Sequence, residues 1–141
     1  MFYSQKQINE SSWQSFERNV CRLLSYEGYE NVRLVGQSND HGADVIANRA
    51  GKRWLFQVKH WKKPVGLNVV TEVQNGLLAY NAQVPVIVAS NGFEACVKEH
   101  QQKMMARQIP LQLIDANMLI ARAARLPNIT TNKRNPRPYQ E

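Results

Sequence analysis

DHGADVIANRAGKRWLFQVKHWKK, residues 40–63, is the stretch from which the fold can be read. It has the form of two strands joined by a tight turn: ADVIANR (43–49), Ala50-Gly51 in the turn, and RWLFQVKHW (53–61). Side chains two apart on a strand share a face. Gln57 and Lys59 therefore point one way, and Phe56 and Val58 the other. Pairing the two strands as a hairpin brings Asp44 alongside the Gln57 and Lys59 face. A carboxylate, an amide oxygen and an ammonium gathered in one spot suit a hard cation and a phosphate.

Upstream, SSWQSFERNVCRLLSYE (11–27) predicts a helix, capped by Ser11 or Ser12 and ended by Gly28. Trp13, Phe16, Val20, Leu23 and Leu24 form its apolar stripe, and Glu17 falls inside that stripe. A carboxylate there must be paired, protonated or ligating, because burying a bare charge is costly. A rim position paired with a core lysine or arginine is the alternative for Glu17. YENVRLVG (29–36) predicts the first strand and QSNDHG (37–42) a polar turn. Downstream, Pro64 and Gly66 break the chain before a helix over 67–81, with Gly76 as a soft spot. VPVIVAS (84–90) is a continuous β-branched run, the mark of a strand covered on both faces. A polar helix over 92–108, a short strand at 110–115 and a last helix at 116–126 follow. Three sequential strands suggest a meander, and the helix-separated later strands suggest parallel crossovers. The fold class is α/β: a mixed sheet with helices on both faces. One folded domain is expected over 1–126, followed by a basic, proline-containing flexible tail at 127–141.

The totals narrow the function. A chain of 141 residues is long enough to bury one core. Its apolar runs are too short to span a bilayer, and MFYSQKQINE lacks a signal-peptide pattern. Cys21 and Cys96 lie far apart, with no zinc-finger spacing around them, which fits free thiols in a cytoplasmic protein. The net charge is +7, and between Arg49 and Lys63 there are six Lys or Arg and no acid. That balance favours nucleic acid, a membrane surface or an acidic protein as partner.

Hydrolysis of a phosphodiester needs a divalent ion, an activated water and an offset for charge on the phosphate. Asp44 is the obvious ligand. The amide oxygen of Gln57, the backbone carbonyl of Val58 and, directly or through water, Glu17 are further candidates. Lys59 can hold the attacking water or meet the phosphate, with a pKa expected to fall if the side chain is desolvated. Each residue alone has an ordinary structural explanation, but the four together across helix and strands are harder to dismiss.

These segments also resemble a known family. FE…LL…GY, DHGADV and QVKHW, with VIVASNGF (86–93) and LQLIDANML (111–119), look like the Mrr-type restriction endonuclease catalytic domain of the PD-(D/E)xK superfamily. The resemblance covers roughly residues 12–122 and includes the spacing D-x12-Q-x-K. It implies a restriction-endonuclease-like αβββαβ core and a Mg²⁺-dependent DNA endonuclease, with Mn²⁺ able to substitute, that leaves 5′-phosphate ends. By motif, Asp44, Gln57, Lys59 and Glu17 correspond to the family's catalytic positions. Glutamine at 57 replaces the superfamily's commoner acid, as is usual in this branch.

DNA-backbone contacts are expected from Lys52, Arg53, Lys62 and Lys63, whose alternative is a solvated basic edge. His41, Ser90 and Gln74 are further candidates for substrate contact. A turn hydrogen bond is the alternative for His41. His60 is expected to point away from Lys59, and Trp54 and Trp61 to pack on the sheet. A homodimer fits an enzyme that cuts both strands, and no small-molecule cofactor or membrane partner is implied. Two rival functions stay open: a structure-selective repair or recombination nuclease, and a catalytically inactive DNA-binding module on the same fold.

Overall fold

In the computed structural model, residues 1–127 are described, and the segment 128–141 of the expected tail lies outside the described residues. Ten elements follow in order: α1 (Gln5–Glu10), α2 (Trp13–Tyr26), β1 (Glu30–Ser38), β2 (Gly42–Arg49), β3 (Lys52–Lys59), α3 (Leu67–Ala79), β4 (Val84–Ala89), α4 (Ala95–Ala106), β5 (Gln112–Ile114) and α5 (Ala116–Ala124). One sheet carries all five strands in the order β1-β2-β3-β4-β5. β1, β2 and β3 pair antiparallel, while β4 and β5 add in parallel. This is the expected α/β class with a mixed sheet flanked by helices.

The β2–β3 turn is as short as the sequence suggests. Arg49 pairs with Lys52, and the residues between them, Ala50 and Gly51, have φ of 54° and 74°. Positive φ at both central positions is the type I′ geometry that matches strand twist. Gly51 adopts it freely, whereas Ala50 does so against its Cβ.

Strand alternation divides the interior into two cores. Ala43, Val45, Ala47, Phe56 and Val58 face α2, whose Phe16, Val20, Leu23 and Leu24 fill that side with α5's Leu119. Ile46, Leu55 and Ile87 face Val69, Val70 and Val73 of α3, and Val97 and Met104 of α4. β4 is buried along its whole length, as its continuous β-branched run implies. α1 is not visible in the apolar pattern. It is six residues long, buries only Ile8, and starts from the Ser4 cap. The strand expected to reach Trp61 ends at Lys59, where β4 also ends: Ala89 is its register partner, and the Ser90 N–H donates to the Lys59 carbonyl.

Two details of the cores generate tests. Gly76 of α3 lies against β3: a Cβ there would come within 2.5 Å of Cδ2 of Leu55, itself fully buried. The position reads as a soft spot in the sequence and is a close-packing point in the fold. Gly76→Ala gains about 1 kcal/mol of helix propensity but overpacks the interface, at a cost of about 1–3 kcal/mol. Net destabilisation in chemical denaturation is the expected result, and a gain in stability would show that α3 sits further from the sheet. Glu17 is only 4% exposed within the α2 interface, and burial pushes its carboxyl above the ordinary range despite a hydrogen bond from Gln37. An acid whose folded pKa is raised costs stability once the pH exceeds that of the unfolded chain. Glu17→Gln should therefore raise thermal stability at neutral pH. The gain should shrink as the pH falls into the carboxylate range, and a gain independent of pH would contradict the assignment.

Candidate active site

The pairing of β2 with β3 sets the site. Asp44 stands opposite Gln57, and Gly42 opposite Lys59. Asp44, Gln57 and Lys59 therefore share the sheet face that α3 covers. The Gln57 amide nitrogen donates to Oδ1 of Asp44 in a short hydrogen bond. The Tyr80 hydroxyl, just past the end of α3, donates to Oδ2 of Asp44 at 2.9 Å. Burial and the Asp44 carboxylate together push the Tyr80 phenol above its usual pKa. Arg53 anchors this corner by donating to the Tyr80 carbonyl at 2.9 Å.

Lys59 is fully buried, and its ammonium is gripped by two carboxylates: Asp40 Oδ2 at 2.8 Å and Glu72 Oε2 at 2.9 Å. Burial pulls the Lys59 pKa down, but the hydrogen bonds and charges of Asp40 and Glu72 outweigh it and hold the amine above its ordinary value. The expected fall in the Lys59 pKa is thus corrected: desolvation acts, and paired acids reverse it. Two glycines make the room. A Cβ on Gly42 would lie 2.8 Å from the Lys59 Nζ, and one on Gly36 3.1 Å from both the Asp44 Oδ2 and the Tyr80 hydroxyl.

The remaining sequence candidates separate. Glu17 belongs to α2, on the other face of the sheet, and its Oε1 accepts from Gln37 at 3.0 Å. Its Oε2 is buried with no hydrogen-bond partner. Glu17 thus does not join the Asp44 cluster: α2 packs against Ala43 and Val45, and alternation sends Asp44 to the opposite side. Val58 likewise turns its side chain into the α2 core, leaving only its backbone near Gln57. Lys62 and Lys63 follow β3 at the site end, with the Lys63 ammonium 5.7 Å from the centre of the Trp61 ring. Lys52 and Arg53 lie at the hairpin turn, five and four strand steps from Asp44, a backbone separation of about 13–17 Å, although the Arg53 side chain reaches back to the Tyr80 carbonyl.

His41 stacks its ring on Trp13, with centroids 5.8 Å apart. Ser90 is fully buried, with its hydroxyl 2.8 Å from Nδ1 of His60, whose ring stacks on Phe16. In this arrangement the Ser90 hydroxyl is thus engaged with His60 and not with the Asp44 cluster. Gln74 turns toward Met104 of α4 rather than toward Asp44. Trp54 packs beside Phe56 and Tyr29 on the α2 side of the sheet, as expected for sheet packing. Sequence reasoning missed Asp40, Glu72 and Tyr80. Glu72 had a readable signal: it is the sole acid of α3 and lies beside the stripe of Val69 and Val73, as Glu17 does on its own helix. Tyr80 had none, because its reach to Asp44 depends on how α3 crosses the sheet.

A carboxylate beside an amide fits a hard divalent cation. The Gln57 amide can turn to present its oxygen next to Asp44, since nitrogen and oxygen differ only by rotation of the group. Among the described residues no three His, Cys, Asp or Glu side chains form a metal-binding group. An ion here would therefore rely on one acid, neutral oxygens and water, a set that Mg²⁺ accepts. No helix among the described residues is long and apolar enough to cross a membrane. Cys21 and Cys96 are unpaired, and burial together with the Glu17 charge pushes the Cys21 thiol up to about 11.

Comparison with known proteins bears on the fold and the family. No curated protein matches the sequence. Several solved structures share the fold, and three of them follow. The DNA modification-dependent restriction endonuclease AspBHI is 15% identical, with a TM-score of 0.57 over 85% of this chain and 35% of its own. A protein of unknown function, AF1548, is 18% identical, with a TM-score of 0.56 over 86% of this chain and 75% of its own. The MspJI restriction endonuclease, in complex with a 27-mer oligonucleotide, is 17% identical, with a TM-score of 0.53 over 86% of this chain and 29% of its own. The chain thus spans about a third of the length of the two restriction enzymes. A family model described as a restriction endonuclease, Mrr_cat, matches residues 8–123, and the chain belongs to that family.

Proposed function

We propose that this protein is a metal-dependent DNA endonuclease that hydrolyses phosphodiester bonds and leaves 5′-phosphate ends. One observation carries the reading: Asp44, Gln57 and Lys59 meet on one sheet face, in a chain of the restriction endonuclease family. Mg²⁺ is the proposed ion, with Mn²⁺ able to substitute. Asp44, the Gln57 amide oxygen and the Val58 carbonyl are its proposed ligands. When bound, such an ion lowers the pKa of a coordinated water and offsets charge on the phosphate.

The chain's own residues have distinct tasks. Tyr80 orients the Asp44 carboxylate through its 2.9 Å hydrogen bond. Gln57 contributes a neutral oxygen and so leaves the net charge of the seat less negative than a second acid would. Lys59, held protonated by two acids, acts as a fixed donor to the phosphate rather than as a proton acceptor. Lys62 and Lys63, just beyond β3, are suited to backbone phosphates on either side of the cut. Lys52 and Arg53 would meet DNA only along a longer duplex track, and His41, on the Trp13 ring, borders the site mouth. Glu17 supports the site from behind through Gln37. A homodimer would supply the second active site that cutting both strands requires.

The reliance on one acid and an amide keeps a second reading in play: a DNA-binding module without catalysis. Incubating the purified protein with plasmid DNA and Mg²⁺ or Mn²⁺ should nick or cut it, and EDTA should stop the reaction. Asp44→Ala and Lys59→Ala should each lower the rate by about 100-fold or more. Robust cleavage by the Lys59→Ala protein would remove Lys59 from the mechanism. No cleavage by the native protein, with DNA binding unaltered in Asp44→Ala, would select the binding module. Preference for a four-way junction over a linear duplex would select a structure-selective nuclease.

A further inference from the structure

Lys59 has no free approach. Its side chain is 0% exposed, and Asp40, Glu72 and the Trp61 ring, 5.4 Å away, enclose the ammonium. A substrate phosphate can reach it only by displacing one of the two carboxylates. The two are held very differently. Asp40 also accepts from the Ser38 hydroxyl, and its backbone carbonyl accepts from the Trp61 indole at 2.5 Å. The His60 N–H further pins the neighbouring His41 carbonyl at 3.1 Å. Glu72, by contrast, hydrogen-bonds through its side chain only to Lys59 among the described residues; exposure does not separate the two acids, at 44% for Asp40 and 41% for Glu72.

We propose that Asp40 is a positioning residue for the reaction, acting through Lys59, and that Glu72 occupies the place on Lys59 that a substrate phosphate oxygen takes. The inference rests on the nuclease reading and deepens it. Asp40 keeps the ammonium fixed while Glu72 leaves, exchanging one anion for another at the same donor. Two acids on one nitrogen therefore have opposite effects. Without Asp40 the lysine loses its aim, and a small displacement of a catalytic group costs up to about 100-fold. Without the Glu72 charge, the phosphate no longer competes with a resident anion, and repulsion between like charges is relieved.

The test combines cleavage kinetics with DNA binding in EDTA, using the full chain. Asp40→Ala should lower kcat by about 10- to 100-fold with little change in KM, and Asp40→Asn, which keeps an acceptor, should restore part of it. Glu72→Gln should lower KM, and the Kd for DNA, by roughly 3- to 10-fold without reducing kcat. That gain should vanish in a Lys59→Met background, whereas a mere change of surface charge would persist there. Glu30→Gln, at the far end of β1, serves as the neutral control. Unaltered kcat in Asp40→Ala, raised KM in Glu72→Gln, or a binding gain that survives Lys59→Met would each overturn the proposal. If the native protein cuts nothing, the nuclease reading fails separately. The binding cycle then still decides the Glu72 assignment. The protected Lys59 ammonium resonance in ¹⁵N-lysine NMR decides the Asp40 assignment, being lost in Asp40→Ala if the proposal is right and kept if it is wrong.

Discussion

The register of β2 against β3 is the constraint on which the site depends. It sets Asp44 opposite Gln57 and Gly42 opposite Lys59, with Gly36 of β1 opposite Asp44 on the other side. A slip of one residue would turn every side chain of a strand to the other face. The polar set would then enter the α2 core, and Val45, Phe56 and Val58 would leave it. The type I′ turn at Ala50-Gly51 and the two-sided burial of β3 both oppose that slip. The same apolar packing that stabilises the sheet thus fixes the position of the chemistry.

Charge is concentrated where the sheet ends. Lys59 is acceptable as a fully buried cation because two carboxylates meet it, and they are acceptable because they remain partly in water. Asp44 has a hydrogen-bond donor on each oxygen, one from β3 and one from just beyond α3. Glu17 is the exception. It is buried on the far face with one oxygen satisfied and the other without a hydrogen bond, an arrangement that costs stability. Its neighbour Gln37 sits one step from Gly36 on β1, so the strand that bounds the Asp44 pocket also carries the only hydrogen bond to Glu17 among the described residues.

Much of the fold was legible in the sequence because periodicity speaks directly about faces. The alternation through ADVIANR and RWLFQVK gave the hairpin, and the unbroken VPVIVA gave the covered parallel strand. The pairing of Asp44 with Gln57 and Lys59 followed from the same period of two. What the sequence did not show is which helix covers which face. Glu17 lies on the apolar stripe of its helix, as its spacing implies, yet that stripe meets the side of the sheet away from Asp44. Asp40 and Tyr80 reach the site from a turn and from just beyond a helix end, where no periodicity constrains direction. Gln74 turns toward Met104, and Ser90, although its N–H holds the Lys59 carbonyl, aims its hydroxyl at His60.

The central claim is that Asp44 and Gln57 together form a seat for a divalent ion beside a fixed Lys59. Mn²⁺ binding followed by electron paramagnetic resonance, with DNA present, tests this most directly. The account predicts bound Mn²⁺ in the native chain, weaker binding in Gln57→Leu and none in Asp44→Asn. Binding that is unchanged in Asp44→Asn, or absent from the native chain, would contradict it.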